Sequence, residues 1–579
     1  MRKIILIITA MLLTMNCFSQ APSWAWATSA GGANGSELGS SVTTDVAGNI
    51  YVTGYFTSST IEFGTITLTH TGSASHNMYL VKYDSTGVVL WATNAGGGGN
   101  SYGGVNGSSV VTDATGNVYV AGTFNGYGFY VDTTFLMNND NTGITGDFFL
   151  IKYNSSGTNI WAKSFGGSDE DDGVSSLAVD ALGDVYLTGT FRSSSLVLGS
   201  DTLTNPGTAD MFLAKYDTSG NVLWAKSAEG GYNSGRSVAI GADGDVYVLG
   251  NFGNSSLILG TTTLTNPNVG SYDLFLVKYN SAGAVLWVIS AGGSDSDLGV
   301  SITTDIAGNV YATGEFRSTA ISFGTVTLIN SSVGNFDIFL VKYDSIGTLL
   351  WAKKEGGSNY DGGYSVVDDE TGNLYLTGYF LSSTIVFGTT TLTNAGTRDV
   401  FLVKYDTSGN VLWAKSAGGN SDDYGYSVAA DGTGNVYVTG YFVSPTITFG
   451  STLINAGDLD MYIAKIGLST TVGIEKEKTN NEITISPNPF TSQTTITFND
   501  ASTGSTGSPT AATHTIKITD VLGKEIKTIN FTGTQCVIEK GEMERGIYFV
   551  QVNSGSAGST GSLTTGSPTN VVNRKIVVQ

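Results

Sequence analysis

Three short segments crowd carboxylates between glycines: "GGSDEDDG" (166–173), "GGSDSDLG" (292–299) and "GGNSDDYG" (418–425). Asp169, Asp171, Asp295, Asp297, Asp422 and Asp423 offer the hard oxygen ligands that calcium takes. Their spacing does not complete an EF-hand loop, and solvated loops of an acidic protein explain the same residues, so calcium stands as a candidate cofactor beside that plainer reading. Tyr102, Tyr232, Tyr360 and Tyr424 lie in or beside loops of the same kind, next to polar residues such as Asp361. Aromatic area beside polar groups suits an extracellular polysaccharide or a protein ligand; packing over a core is the structural alternative. Histidine is confined to His70, His76 and His514, and no nucleophile elbow, zinc spacing or phosphate loop is present. A carboxylate pair acting on a glycan remains the enzymatic alternative, with many loop aspartates competing for the role.

The elements that position these loops repeat. Trp26, Trp91, Trp161, Trp224, Trp287, Trp351 and Trp413 recur at intervals of 62 to 70 residues, a period typical of solenoids and propellers. One period reads as four strands. In the sixth copy they are "YSVVDD" (A), "NLYLTGYF" (B), "DVFLVKYD" (C) and "NVLWAKSA" (D), rich in the β-branched and aromatic residues strands prefer. The A–B turns, such as "DIAGN" (305–309), and the C–D turns, such as "DTSG" (217–220), join Asp or Asn to Gly, which suits tight hairpins. Turn chemistry therefore accounts for those acids without a metal. The B–C and D–A links are longer and vary, so they form the expected working surface.

The chain opens with a D strand, "SWAWATSAGG" (23–32), and its last copy stops after C at "DMYIAKIG" (460–467). Together they make one whole blade, which predicts an all-β, seven-bladed β-propeller closed by an N-terminal outer strand over residues 20–468. Closure removes the exposed array ends. The tryptophans are expected to fill the space between blades. The second copy, "NGYGFYVDTTFLMNNDNTG" (125–143), departs from the usual stretch and predicts a reshaped loop.

The formal charge of −21 argues against nucleic acid and anionic membrane surfaces as partners. Residues 1–19 read as a signal peptide: Arg2 and Lys3, a short apolar run, then Cys17 and Ser19 before a cut at Gln20. A lipoprotein reading of Cys17 is weaker, because Asn16 suits it poorly. No later stretch is long and apolar enough for a transmembrane segment in the mature protein. Residues 469–482 read as a linker, and 483–579 as a small β-sandwich with low-complexity inserts at 501–513 and 554–569.

Two resemblances follow. The order "DxFLVKYDxxGxxLWAKSAGG…DxGxSVxxDxxGNVYVTGxF" over about residues 23–467 resembles the bacterial seven-bladed beta-propeller repeat (SBBP-type) family. It implies a fold and an extracytoplasmic setting but no single activity. The tail resembles the type A C-terminal sorting domain of the Bacteroidetes type IX secretion system. Pro487, Asn488, Pro489 and Phe490 match its opening motif, "DVLGKEI" its middle strand, and "GIYFVQV" (with Gly546 and Tyr548) and the basic strand with Lys575 its end. The resemblance implies the type IX secretion machinery as partner. It also implies passage across the outer membrane, so that, after Sec-dependent export on the signal peptide, the product is secreted or surface-attached. The expected function is a binding or adhesion protein; a carbohydrate-active hydrolase or lyase and a purely structural surface protein are the alternatives.

Overall fold

The computed structural model describes residues 21–72, 75–97, 103–140, 143–467, 483–486, 491–498, 513–520, 524–532, 535–541, 543, 546–554 and 570–578. The leader, the linker, Tyr102 and the Pro487–Phe490 motif lie outside these. Every regular element among the described residues is a β-strand. Contacts divide the chain into residues 1–468 and 469–579.

The first unit is built of seven four-stranded antiparallel sheets, each in the order A-B-C-D. Their A strands, numbered as sheets 1 to 7, are Glu37–Thr44, Val105–Thr112, Asp172–Val179, Asn233–Ile240, Asp297–Thr304, Asp361–Asp368 and Asp423–Ala430. In sheet 7 the D strand is Trp24–Ala30, paired to the C strand Asp460–Ile466 with Ala27 opposite Ala464. A minor hairpin follows each B strand. In sheet 2 it survives the change of sequence (Gly128–Val131 with Thr134–Met137), so the expected reshaping is confined to its residues and flanking loop. There Tyr130 and Gly96 exchange backbone hydrogen bonds, tying the hairpin to the loop after sheet 1.

B and C strands are covered on both faces and read as near-continuous apolar runs; in Leu374–Phe380 and Asp399–Tyr405 every residue is buried. Each A strand carries a bulge, as between Gly39 and Ser41. The bulge presses the A strand onto the B strand, and a Cβ on Gly54 would lie 1.7 Å from the Leu38 carbonyl oxygen. Glycine in the recurrent "TG" of the B strand is thus a matter of space. The serine after the bulge faces the next sheet. Val110, Leu177, Val238, Ile302, Val366 and Val428 donate their backbone N–H to Ser41, Ser109, Ser176, Ser237, Ser301 and Ser365 of the sheet before, at 3.1–3.2 Å. Val42 of sheet 1 donates to Ser427 of sheet 7 at 3.1 Å.

At the end of the strands that carries the A–B and C–D turns, one circuit recurs. The C-strand lysine lies over the B-strand tyrosine in all seven sheets, as with Lys82 over Tyr51 at 4.9 Å. Tyr51 donates to the turn residue Asp45, which also accepts from the side chain and backbone of Asn49. Burial pushes the Asp45 carboxyl up, but those bonds and the Lys82 charge outweigh it and hold it low. The D-strand tryptophans lie between sheets. Trp91 Nε1 donates to the Ser155 carbonyl in the next C–D turn at 3.1 Å. Gly157 of that turn, at φ +84°, sits against the indole, where a Cβ would come within 2.8 Å. The same bond is made by Trp26, Trp161, Trp224, Trp287 and Trp351. Trp413 faces sheet 7, whose D strand arrives from the N-terminus, so no C–D turn stands there to accept.

The second unit holds two antiparallel sheets. One is Ile483–Ser486, Gln493–Phe498 and Gln535–Glu539; the other is Glu525–Thr532, Thr513–Asp520, Gly546–Ser554 and Asn570–Val578. Ile496, Ile516, Ile518, Ile538, Tyr548 and Val550 form its core with Cys536, the buried free thiol.

Candidate functional site

At the opposite, loop end of the same strands the repeat breaks down. The sixth residue of the B strand is Tyr55, Thr123, Thr190, Asn251, Glu315, Tyr379 and Tyr441 in sheets 1 to 7. The fourth residue of the A strand is Ser40, Ser108, Ser175, Arg236, Val300, Tyr364 and Tyr426. Alternation puts the B-strand position on one face while its neighbours hold the core, and the A-strand position is the extra residue of each bulge. The sheets therefore keep one packing while their loop ends differ.

Sheets 6 and 7 carry an aromatic cluster. Tyr364 stacks on Tyr426 at 5.3 Å, Tyr426 on Tyr424 at 5.8 Å, and Tyr424 meets Tyr379 and Tyr441 at 5.0 Å each. Arg398 lies 5.6 Å from the ring centres of both Tyr379 and Tyr424, and its Nη1 donates to Asp422 at 3.0 Å. Burial, then the neighbouring Tyr424, raises the Tyr426 hydroxyl to about 12. Glu315 of sheet 5 stands beside this cluster. Its Oε2 is buried without a hydrogen-bond partner, and burial pushes the carboxyl up to about 7 against the pull of Arg236.

Sheets 2 to 4 carry a polar cavity of about 520 Å³ instead. Its lining includes Asn106, Thr123, Thr190, Ser234, Arg192 and Arg236, with Tyr232 and His76 at the sides. His76 extends the cavity toward sheet 1, where its ring lies 5.1 Å from Tyr55.

Several residues expected on the loop surface are not there. Asp297, Asp361 and Asp423 are buried first residues of A strands that hold the loop ends together. Asp361 accepts from Gly357 N, Leu381 N, Ser382 N and Ser382 Oγ. Asp297 and Asp423 bond Ser318 and Ser444 in the same way. Burial pushes all three carboxyls up to about 6 against those bonds. A sequence pattern cannot separate such a buried cap from an exposed ligand, because both are an Asp after glycine. The remaining acids are engaged by separate partners, and Asp295 also accepts from Ser296 N. Asp169 accepts from Ser194 N, Asp171 from Gly146 N, and Asp295 pairs with Arg317 at 3.6 Å. The six carboxylates thus stay apart, two beside each of three A strands, and among the described residues no three His, Cys, Asp or Glu side chains converge on a point. Of the tyrosines, Tyr424 lies in the aromatic cluster, Tyr232 lines the cavity and contacts Tyr272 at 5.3 Å, and Tyr360 packs on Phe336 at 5.9 Å. Sequence reasoning missed Tyr364, Tyr379, Tyr426, Tyr441, Glu315, Arg192 and Arg236. Their signal was departure from the repeat, within strands for all but Arg192, which follows its B strand directly.

Residues 484–564 match the family model of a secretion system C-terminal sorting domain, and residues 412–441 that of a beta-propeller repeat. The chain is 26% identical over 539 residues to the uncharacterized WD repeat-containing protein L264 of Acanthamoeba polyphaga mimivirus, covering 76% of this chain and 38% of that protein. It is 28% identical over 220 residues to the regulatory protein FlaEY of Caulobacter vibrioides, covering 36% of this chain and 23% of the other. It therefore spans well under half the length of these curated relatives. Among solved structures, PorZ, an essential surface component of the type IX secretion system of Porphyromonas gingivalis, is similar over 93% of this chain and 59% of its own, at 14% identity and a TM-score of 0.34. Residues 484–564 are thus a secretion system C-terminal sorting domain and residues 412–441 a beta-propeller repeat, and the sorting domain directs the chain to the outer surface or out of the cell.

Proposed function

We propose that residues 20–468 form a closed seven-bladed propeller that acts as a surface-delivered binding or adhesion module, with its ligand site on the loop end of the A and B strands. Closure is supported by the serine bonds, which pass from each sheet to the next and from sheet 7 to sheet 1. The observation that carries the binding reading is the asymmetry of the loop end. Sheets 6, 7 and 1 place tyrosines where sheets 2 to 4 place polar residues, over a scaffold that otherwise repeats. Stacked phenols beside Arg398 present the apolar faces and polar edges that sugars and protein loops bind. Removal of a signal peptide at residues 1–19 and recognition of Pro487–Phe490, Gly546, Tyr548 and Lys575 by the secretion machinery complete the proposed route.

Two experiments test this. Truncation after Leu468 is expected to leave a folded first unit that stays in the periplasm; normal surface delivery would remove the tail from the route. For binding, the purified protein is screened on polysaccharide and protein arrays. Tyr364→Ser, Tyr424→Ser and Tyr426→Ser together should abolish a positive signal in a protein that still folds, while Asp217→Ala in a C–D turn should keep it. The reverse outcome places the site at the turn end.

Glu315 favours one second reading. A buried carboxyl pushed up to about 7 keeps part of its proton near neutrality and can give it to a glycosidic oxygen, the role of a glycosidase's general acid. Release of reducing ends by the wild type but not by Glu315→Gln would establish it.

A further inference from the structure

The cavity across sheets 2 to 4 holds two positive charges in a protein of formal charge −21. Arg192 and Arg236 are both exposed, and among the described residues neither forms an ion pair, whereas Arg317 and Arg398 both do. Arg192 lies over the Tyr232 ring at 5.9 Å, which places its guanidinium at the cavity wall. Asp171 and Asp172 also line the cavity, but their carboxylates are engaged by backbone N–H groups. Three further lining residues carry buried polar atoms with no hydrogen-bond partner: His76 Nε2, Asn106 Oδ1 and Ser234 Oγ. Ser234 is only 3% exposed. A buried polar atom without a partner costs stability, so its persistence points to a bound group that supplies the bond. The remaining polar lining is hydroxyl and amide, from Thr123, Asn125, Ser175 and Thr190, with Phe124, Val174 and three glycines between them.

We infer that this cavity holds an acidic sugar residue of an extracellular polysaccharide, its carboxylate taken by Arg192 and Arg236 and its hydroxyls by Asn106 and Ser234. The inference rests on the loop end being the ligand site. Guanidinium recognises carboxylate through paired, charge-assisted hydrogen bonds, and the hydroxyl-rich wall suits a polyol better than an apolar peptide side chain. A volume of about 520 Å³ lies within the range of small-molecule sites.

The test is titration calorimetry of the full chain with oligomers of galacturonate, glucuronate and N-acetylneuraminate. Methyl-esterified oligomers, neutral galactan oligomers and a tri-aspartate peptide serve as comparators. At least one acidic oligomer should bind on the order of tenfold or more tighter than its ester. Arg192→Gln and Arg236→Gln should each remove most of that preference while leaving the melting temperature unchanged, since both side chains are exposed. Ser234→Ala should weaken the acid and ester forms alike. Equal affinity for acid and ester, indifference to both arginine variants, equal binding of the peptide, or no binding by any acidic oligomer overturns the inference. If neutral glycan binds and depends on Tyr424 and Tyr426 but not on the arginines, the acidic-sugar assignment fails and the loop-end reading stands. Binding that ignores tyrosines and arginines alike defeats both.

Discussion

The two ends of the same strands obey different rules. At the turn end the lysine–tyrosine pair recurs in all seven sheets, and six of the seven tryptophans bond the next C–D turn. The seventh, Trp413, lacks only the turn that would receive its bond. At the loop end the B-strand residue in an equivalent place is tyrosine, threonine, asparagine or glutamate. Repetition marks where one sheet must fit the next, because every interface poses the same packing problem. Variation marks where the sheets need not resemble one another, and there chemistry is free to accumulate.

The largest test of this contrast removes Ser23–Ala30. Sheet 7 then loses Trp24, which meets Phe449 edge-on at 5.0 Å, and Trp26 against the sheet 1 turn. Stability should fall by about 3–6 kcal/mol in urea denaturation, the burial of two large side chains. An unchanged midpoint would mean that sheet interfaces do not carry the stability.

The two ends should also show opposite pH dependence. At the loop end burial raises Asp273 to about 7, with Asp297 adding to it, and raises Asp297 itself to about 6. An acid whose folded pKa exceeds its unfolded value binds more protons folded, so its stabilising share is present at low pH and is lost as pH rises through the folded value. At the turn end bonds from Asn373 and Thr371 and the Lys404 charge outweigh the effect of burial and hold Asp369 low, so its share is present above pH 4 and is lost below it. The melting temperature should peak on the acid side of neutrality. Asp273→Asn should flatten the fall between about pH 4 and pH 7, and Asp369→Asn the fall below pH 4. A single slope altered by both variants would erase the distinction.

A smaller effect is expected from Gly157→Ala, which forces a Cβ toward Trp91 at a left-handed position. It should cost about 1–3 kcal/mol by thermal denaturation. The smallest comes from copying one sheet's loop end into another. Thr123→Tyr and Thr190→Tyr should each change stability by less than about 0.5 kcal/mol. A destabilisation as large as that of Gly157→Ala would show that the loop end is packed as strictly as the turn end.

The turn aspartates and the tryptophans were legible in the chain because each is bound to neighbours at fixed sequence distance. Asp45 bonds Asn49 and Tyr51 a few residues away, and Trp91 meets residues one repeat on, so the same letters return with the same period. The acidic loops were legible only as composition. Asp361 and Asp422 look alike in sequence, yet one is sealed under Ser382 and the other is paired with Arg398. Burial decides between them, and burial depends on where the following B–C segment folds back. The aromatic cluster and the arginine cavity lie further from the reach of sequence, because Tyr364 and Tyr426, or Arg192 and Arg236, become neighbours only when different sheets stand side by side. The sequence alone determined the strands, their turns, the repeat and the sorting tail, all set by local pattern. The tertiary structure decided which carboxylates are caps, which tyrosines stack and where two arginines face one cavity, because those are contacts between segments that no periodicity links.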